Sequence, residues 1–177
     1  EILFRTKLSE NLFKGLAPWM SRLPGGLIHV NVVGCALFAA ISGSSAATVA
    51  TVGKMSIPEL RKRNYPEKLL LGSLAGSGTL GLLIPPSIIL IIYGVTVQES
   101  IAKLFIAGII PGIMIAIFFM FYVIGWSMLN KNIMPKMNET FSFSQKIKQS
   151  GQLIPVIVLI VAVIGSIYAG IATATEA

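Results

Sequence analysis

Two short runs of neutral, oxygen-bearing residues interrupt otherwise apolar sequence. The first is Ser42-Gly43-Ser44-Ser45, with Thr48 one helical turn further on. The second comprises Gly76-Ser77-Gly78-Thr79 and, a few residues later, Pro85-Pro86-Ser87. Hydroxyls and unwound backbone carbonyls are hard oxygen donors that suit Na⁺, and without full negative charge they can also release it. A helix that starts again after such a break presents N–H groups and a positive dipole end, which favour an anion. Asn31 and His29 lie just ahead of the first run and offer either contacts to a bound solute or hydrogen bonds within a helix bundle. The competing reading of all these positions is structural, because small Ser, Gly and Ala residues let membrane helices pack closely.

Other chemistries lack their residues. The chain has seven acidic residues and a single His. No carboxylate pair, nucleophile–base arrangement, phosphate-binding Gly-Lys loop or cluster of metal ligands can be assembled from the sequence. Cys35 is the lone cysteine, so it forms no intrachain disulfide and reads as a small packed side chain. A proton relay needs titratable groups within the membrane, and the apolar blocks hold no Asp, Glu, Lys or Arg. An enzyme is therefore not expected, and no organic cofactor.

The elements that carry the two runs follow from charge. Only 12% of the 177 residues are charged, about half the usual share, and the mean hydropathy is +0.81. Charges are missing altogether from 23–53, 69–98, 104–130 and 149–175. A bilayer core of about 30 Å is crossed by about 20 apolar helical residues, so the fold class is an all-α integral membrane protein. The net charge of +7 does not indicate nucleic acid, because the basic residues flank apolar blocks, where they orient a membrane protein.

Residues 1–23 read as an amphipathic, interfacial helix, with Phe4, Leu8, Leu12, Phe13, Leu16 and Met20 on one face, the alternative being the cytoplasmic end of an earlier spanning helix; Pro18 is expected to bend or break it. Residues 24–57 hold a first apolar stretch too short to span. They are flanked by Arg5, Lys7, Lys14 and Arg22 before and by Lys54, Arg61, Lys62, Arg63 and Lys68 after. Basic flanks on both sides put both ends in the cytoplasm, which a re-entrant helical hairpin with Ser42–Ser45 at its tip satisfies. Residues 66–94 read as a discontinuous transmembrane helix, because Gly76, Gly78 and Pro85-Pro86 weaken its middle. Such a break must be buried in protein or line a wet cavity. Residues 104–130 form a conventional transmembrane helix whose Gly108 and Gly112 permit close packing. Residues 131–150 form a basic cytoplasmic loop, and 151–177 a further transmembrane helix. The chain begins without Met and stops directly after an apolar stretch, so it is expected to be an internal piece of a longer polypeptide.

Four segments occur in an order that is specific in combination: Pro24-Gly25-Gly26-Leu27-Ile28-His29-Val30-Asn31-Val32, Ile41-Ser42-Gly43-Ser44-Ser45-Ala46-Ala47, Gly81-Leu82-Leu83-Ile84-Pro85-Pro86-Ser87 and Ala107-Gly108-Ile109-Ile110-Pro111-Gly112. They closely resemble the large membrane subunit of the tripartite ATP-independent periplasmic (TRAP) transporters, over almost the whole chain. The closing Ala172-Thr173-Ala174-Thr175-Glu176-Ala177 resembles the start of that family's second half, with Ala174 where Pro is usual. The resemblance implies an elevator-type, Na⁺-coupled importer of organic acids such as C4-dicarboxylates or sialic-acid-like sugar acids. It implies residence in the bacterial inner membrane as a multi-pass protein, with a periplasmic substrate-binding protein and a small membrane subunit as partners. By motif, Na⁺ ligation falls to Ser42, Gly43, Ser45, Gly76, Gly78, Thr79, Thr173 and Thr175, and substrate contact to Asn31, Ser44, Ser45, Pro86 and Ser87. A stand-alone ion-coupled anion carrier and a channel-forming or structural membrane subunit are the alternatives.

The charge pattern fixes an expected topology. A cysteine introduced at Glu99 should react with an impermeant maleimide from the periplasm, and one at Lys62 only from the cytoplasm; reversed labelling would overturn the assignment.

Overall fold

A computed structural model of the chain describes residues 8–135 and 142–169. These residues form helices α1 (Leu8–Met20), α2 (Ile28–Ser42), α3 (Ser45–Lys62), α4 (Glu67–Gly78), α5 (Ile88–Val97), α6 (Ile101–Leu129), α7 (Phe143–Ser150) and α8 (Ile154–Tyr168). Single 3-10 turns occupy Thr79–Leu82 and Gly151–Leu153. Among the described residues there is no strand.

Among the described residues, two helical stretches are long and apolar enough to cross a bilayer: Ile101–Leu129, 29 residues with mean hydropathy 2.6, and Phe143–Tyr168, 26 residues with mean hydropathy 2.3. Helix α6 leaves Ile110, Phe118, Phe121 and Tyr122 exposed along its length, as suits a helix facing hydrocarbon. Two glycines lie among its buried positions, with Phe105, Val123 and Ser127. A Cβ on Gly108 would lie 2.8 Å from the Leu83 carbonyl oxygen, and one on Gly112 would lie 2.9 Å from Ile84 Cγ1. The G-x-x-x-G pair therefore seats α6 against the segment that separates α4 from α5. Hydrophobic burial gives no drive between helices in lipid, so association there rests on close packing.

Helices α2 and α3 are antiparallel arms joined at Gly43-Ser44. Helix α2 has 15 residues, which at 1.5 Å each reach about 22 Å, short of a hydrocarbon core. The start of α2 is held by Tyr65, whose hydroxyl accepts from the Leu27 N–H at 3.0 Å, and by His29, bonded through Nε2 to the Pro24 carbonyl at 2.7 Å. The core joins Leu12 and Leu16 of α1 with Ile28 and Val30 of α2, Leu60 of α3, Leu69 and Leu70 of α4, Val123 of α6 and Val156 of α8.

Several boundaries differ from the sequence expectation. Pro18 does not interrupt α1; it sits near the C-terminal end of the helix. The second hairpin arm runs to Lys62, past Pro58, rather than stopping near 57. Helix α5 continues to Val97, so the connection to α6 is only Gln98 to Ser100. Within the expected loop 131–150, residues 143–150 are helical, because Ser142 and Gln145 form a reciprocal capping box at the start of α7. The helix then continues through the 3-10 turn into α8. Helix α1 packs on this junction: Trp19 Nε1 donates to Ser150 Oγ at 2.8 Å, and the Lys146 ammonium lies 5.4 Å from the Trp19 ring centre. Between α3 and α4, Arg61 forms a bidentate ion pair with Glu67. Both side chains are exposed, so the pair contributes little to stability.

Candidate functional site

The hairpin tip and the helix break meet. The hairpin turns at Gly43, which has φ 59° and ψ 8° and donates its N–H to the Ala39 carbonyl. The left-handed conformation suits glycine, since a side chain there costs energy. A second constraint is spatial, because a Cβ on Gly43 would fall 2.7 Å from the Pro86 carbonyl oxygen. Ser44 is extended, with φ −133° and ψ 124°, and its Oγ accepts from the Ala47 N–H as the N-cap of α3.

On the other side of the contact, α4 ends at Gly78 and the 3-10 turn Thr79–Leu82 follows. The Pro85-Pro86 peptide is cis. Ser87 is extended and precedes α5, but its hydroxyl does not cap that helix; it donates to the Leu82 carbonyl at 2.8 Å. The first N–H of α5 finds its partner across the interface instead, where Ile88 N–H donates to the Gly43 carbonyl at 3.3 Å. Gly81 completes the seat. A Cβ there would lie 2.9 Å from Ser45 N and 3.0 Å from both Ser44 C and Ser45 Cα. A Cβ on Gly78 would meet Val49 Cγ2 at 2.0 Å.

Four helix ends consequently converge. The C-termini of α2 and α4 bring carbonyls and partial negative charge, while the N-termini of α3 and α5 bring N–H groups and partial positive charge. Such a junction can hold a cation and an anion side by side without a formally charged side chain. Of its hydroxyls, Ser42, Thr79 and Ser87 donate to backbone carbonyls, whereas Ser44 accepts. Ser42 Oγ lies 2.8 Å from Thr48 Oγ1, and Thr79 Oγ1 donates to the Gly76 carbonyl at 2.7 Å. A hydroxyl whose proton is used this way keeps lone pairs for a cation. Ser45 Oγ is buried and has no hydrogen-bond partner, an arrangement that buried polar atoms rarely tolerate.

The candidate residues thus divide. Gly43, Ser44, Ser45, Gly78, Pro86 and Ser87 lie at or beside the junction, Ser42 faces into the tip, and Thr79 is exposed at the start of the 3-10 turn. Gly76 faces α6, where a Cβ would be 3.2 Å from the Phe119 ring. Asn31 lies in a different place, the seam between α2 and α4. Its Nδ2 donates to Ser73 Oγ at 3.0 Å, and Ser77 Oγ donates to the Ser73 carbonyl at 2.6 Å. Thr173 and Thr175 lie outside the described residues. Two participants escaped the sequence reading. Gly81 stood only within a motif, and Ser73 is legible solely as the residue one turn before Ser77. Among the described residues no cluster of His, Cys, Asp or Glu fit for a metal ion occurs.

The family model described as "Tripartite ATP-independent periplasmic transporter, DctM component" matches residues 1–177. The C4-dicarboxylate TRAP transporter large permease protein DctM of Pseudomonas aeruginosa is 37% identical over 158 residues, covering 89% of this chain and 36% of the relative. The ectoine TRAP transporter large permease protein TeaC of Halomonas elongata is 36% identical, covering 100% of this chain and 41% of the relative. The sialic acid TRAP transporter large permease protein SiaM of Vibrio cholerae is 34% identical, covering 96% of this chain and 39% of the relative. The chain therefore spans well under half the length of these relatives.

The glycine contacts make the junction testable. In the full-length protein, Gly81→Ala should lower stability by about 1–3 kcal/mol, because the added methyl meets backbone that cannot rotate away. Gly72→Ala, with nothing within 4 Å of the new methyl, should be neutral or slightly stabilising. Thermal unfolding in detergent checks the pair; equal effects would show that the tip is not seated on Gly81.

Proposed function

Because the chain belongs to the DctM component family of tripartite ATP-independent periplasmic transporters, whose relatives are transporter permeases and not enzymes, we propose that the full-length protein is the large membrane subunit of a Na⁺-coupled carrier. It resides in the bacterial inner membrane as a multi-pass protein. A periplasmic binding protein delivers the substrate, and a small membrane subunit completes the transporter.

The observation that carries this reading is the convergence of four helix ends, made by the Gly43 carbonyl–Ile88 N–H bond and the close approach of Gly81 to Ser44 and Ser45. Discontinuous helices whose N-terminal ends face anionic groups and whose unwound carbonyls take Na⁺ are the working parts of secondary transporters. In this proposal Ser42, Gly43, Ser45, Gly78 and Thr79 supply oxygens to Na⁺, with Gly76 contributing through its carbonyl. Thr173 and Thr175 complete an equivalent site with parts of the protein beyond this chain. Ser44, Ser45, Pro86 and Ser87 line the substrate side, and Asn31 supports them through the α2–α4 seam.

C4-dicarboxylates, ectoine and sialic acid, after which the relatives are named, all carry a carboxylate. The substrate class proposed here is accordingly a small organic acid whose carboxylate rests on the N-terminal ends of α3 and α5. Coupling follows from charge: Na⁺ at the carbonyl ends makes the neighbouring carboxylate cheaper to bind, and reciprocally. The hairpin and the broken helix travel together as the moving body of an elevator.

The test is uptake of labelled organic acids by the full-length protein in proteoliposomes with its small subunit. Uptake should require both a Na⁺ gradient and the cognate binding protein. Ser44→Ala combined with Ser45→Ala should raise the Na⁺ concentration for half-maximal uptake several-fold while insertion is unchanged. Uptake indifferent to Na⁺, or unaltered Na⁺ activation in the double variant, would reject the proposed coupling site.

A further inference from the structure

Ser73 is the hub of the seam between α2 and α4. Its Oγ accepts from Asn31 Nδ2 at 3.0 Å and donates to the Leu70 carbonyl at 2.9 Å. Asn31 Nδ2 also reaches that carbonyl, at 3.4 Å. One turn further along α4, Ser77 Oγ donates to the Ser73 carbonyl at 2.6 Å and lies 3.4 Å from the Asn31 carbonyl oxygen. Asn31 and Ser77 are fully buried. Two successive turns of α4 are thereby tied to one residue of α2.

Packing holds this stretch of α4 from one side only. Leu70 and Leu74 are buried, but a cavity of about 310 Å³ lies between α2, α4 and α6, walled by Val32, Gly72, Ser73, Phe118 and Tyr122. A Cβ on Gly72 would have nothing within 4 Å. Apolar contacts are non-directional and let one helix slide or turn on another, whereas hydrogen bonds constrain both distance and angle. Between membrane helices such bonds act beside close packing to hold the pair. The seam therefore sets the register that packing leaves loose. Ser73 is five residues before Gly78, about 8 Å along the helix. At that end α4 has no slack, because a Cβ on Gly78 would collide with Val49.

We propose that Ser73 is a positioning residue for the cation side of the four-helix-end junction. Through its bond to Asn31 it sets the height and rotation of α4. It thereby sets where the oxygens of Gly76, Gly78 and Thr79 stand relative to Ser42 and Ser45. Ser73 itself touches neither ion nor substrate. Its consequence for transport rests on the Na⁺ coupling proposed for this chain; its placement of α4 does not.

Two readouts on the full-length protein separate these. The first is the rate of disulfide formation between Val49→Cys and Gly78→Cys in native membranes, with Cys35→Ala, which reports the approach of α3 to α4 without Na⁺ or transport. Adding Ser73→Ala should slow it about threefold, the size expected for loss of one hydrogen bond between membrane helices. The second is uptake in proteoliposomes with the small subunit and binding protein. Here Ser73→Ala should raise the Na⁺ concentration for half-maximal uptake about threefold, for the same reason, and preserve the rate at saturating Na⁺. Ser73→Thr keeps the hydroxyl, and the adjoining cavity can take its methyl, so it should behave as wild type in both. Gly72→Ala, on the same cavity without a side-chain hydrogen bond, should alter neither. Unchanged crosslinking in Ser73→Ala would overturn the positioning role. So would a Ser73→Thr variant as impaired as Ser73→Ala, or Na⁺ activation that stays the same while crosslinking slows. Slowed crosslinking in a carrier whose wild type ignores Na⁺ would uphold Ser73 as the residue that places α4 and reject the Na⁺ coupling instead.

Discussion

A backbone that stops being helical inside hydrocarbon leaves N–H and C=O groups with nowhere to go, at a cost of several kcal/mol each. Among the described residues, the chain stops twice within its charge-free blocks, once at Gly43 and once between Gly78 and Ile88. Each interruption would be untenable alone. The Gly43 carbonyl takes the first N–H of α5, so the two breaks satisfy one another, and the fold around them serves to keep them in register. Glycine at 43, 78 and 81 permits the approach, because side chains at these positions would collide with Pro86, Val49 and Ser45. The α6 glycines at 108 and 112 hold the outer side of the break.

The same constraint explains how a site can form without charged side chains. A carboxylate or ammonium at this depth is expensive and would have to be neutralised. Helix ends provide partial charges already fixed in place, two of each sign, with no proton to gain or lose. A bound cation and a carboxylate then complete a locally neutral arrangement. In the proposed carrier, either one alone would leave the other pair of helix ends uncompensated, which would be the physical basis for coupling their movement.

Much of this was legible in the sequence because membrane chains are written in a small code. Charge-free blocks mark the stretches that the apolar helices occupy, and basic residues on both flanks of 24–57 lead to the expectation of a hairpin turning at Ser42–Ser45. The Gly76–Thr79 and Pro85-Pro86 interruptions gave the discontinuity. What the code omits is partnership across long sequence separation. Nothing near Asn31 announces Ser73, 42 residues away, and nothing near Leu27 announces the Tyr65 hydroxyl, 38 residues away. Helix α7 is hidden in the sequence by its basic composition, although Ser142 and Gln145 carry a helix-start signature. Substrate identity lies further out of reach, because relatives named for three different solutes share this region at similar identity.

Contact between the hairpin and the break is the claim on which the remainder depends, and one measurement addresses it. The position of a Cβ on Gly78 lies 3.5 Å from Val49 Cβ, within the span of a disulfide. In the full-length protein with Cys35→Ala, the pair Val49→Cys and Gly78→Cys should form a disulfide rapidly on mild oxidation in native membranes. The bond is scored after cleavage of the chain at a protease site engineered between them. Rapid, near-complete crosslinking is the result predicted here. Failure to crosslink, while both thiols remain reactive, would mean that the two breaks do not meet and that the four-helix-end site does not exist.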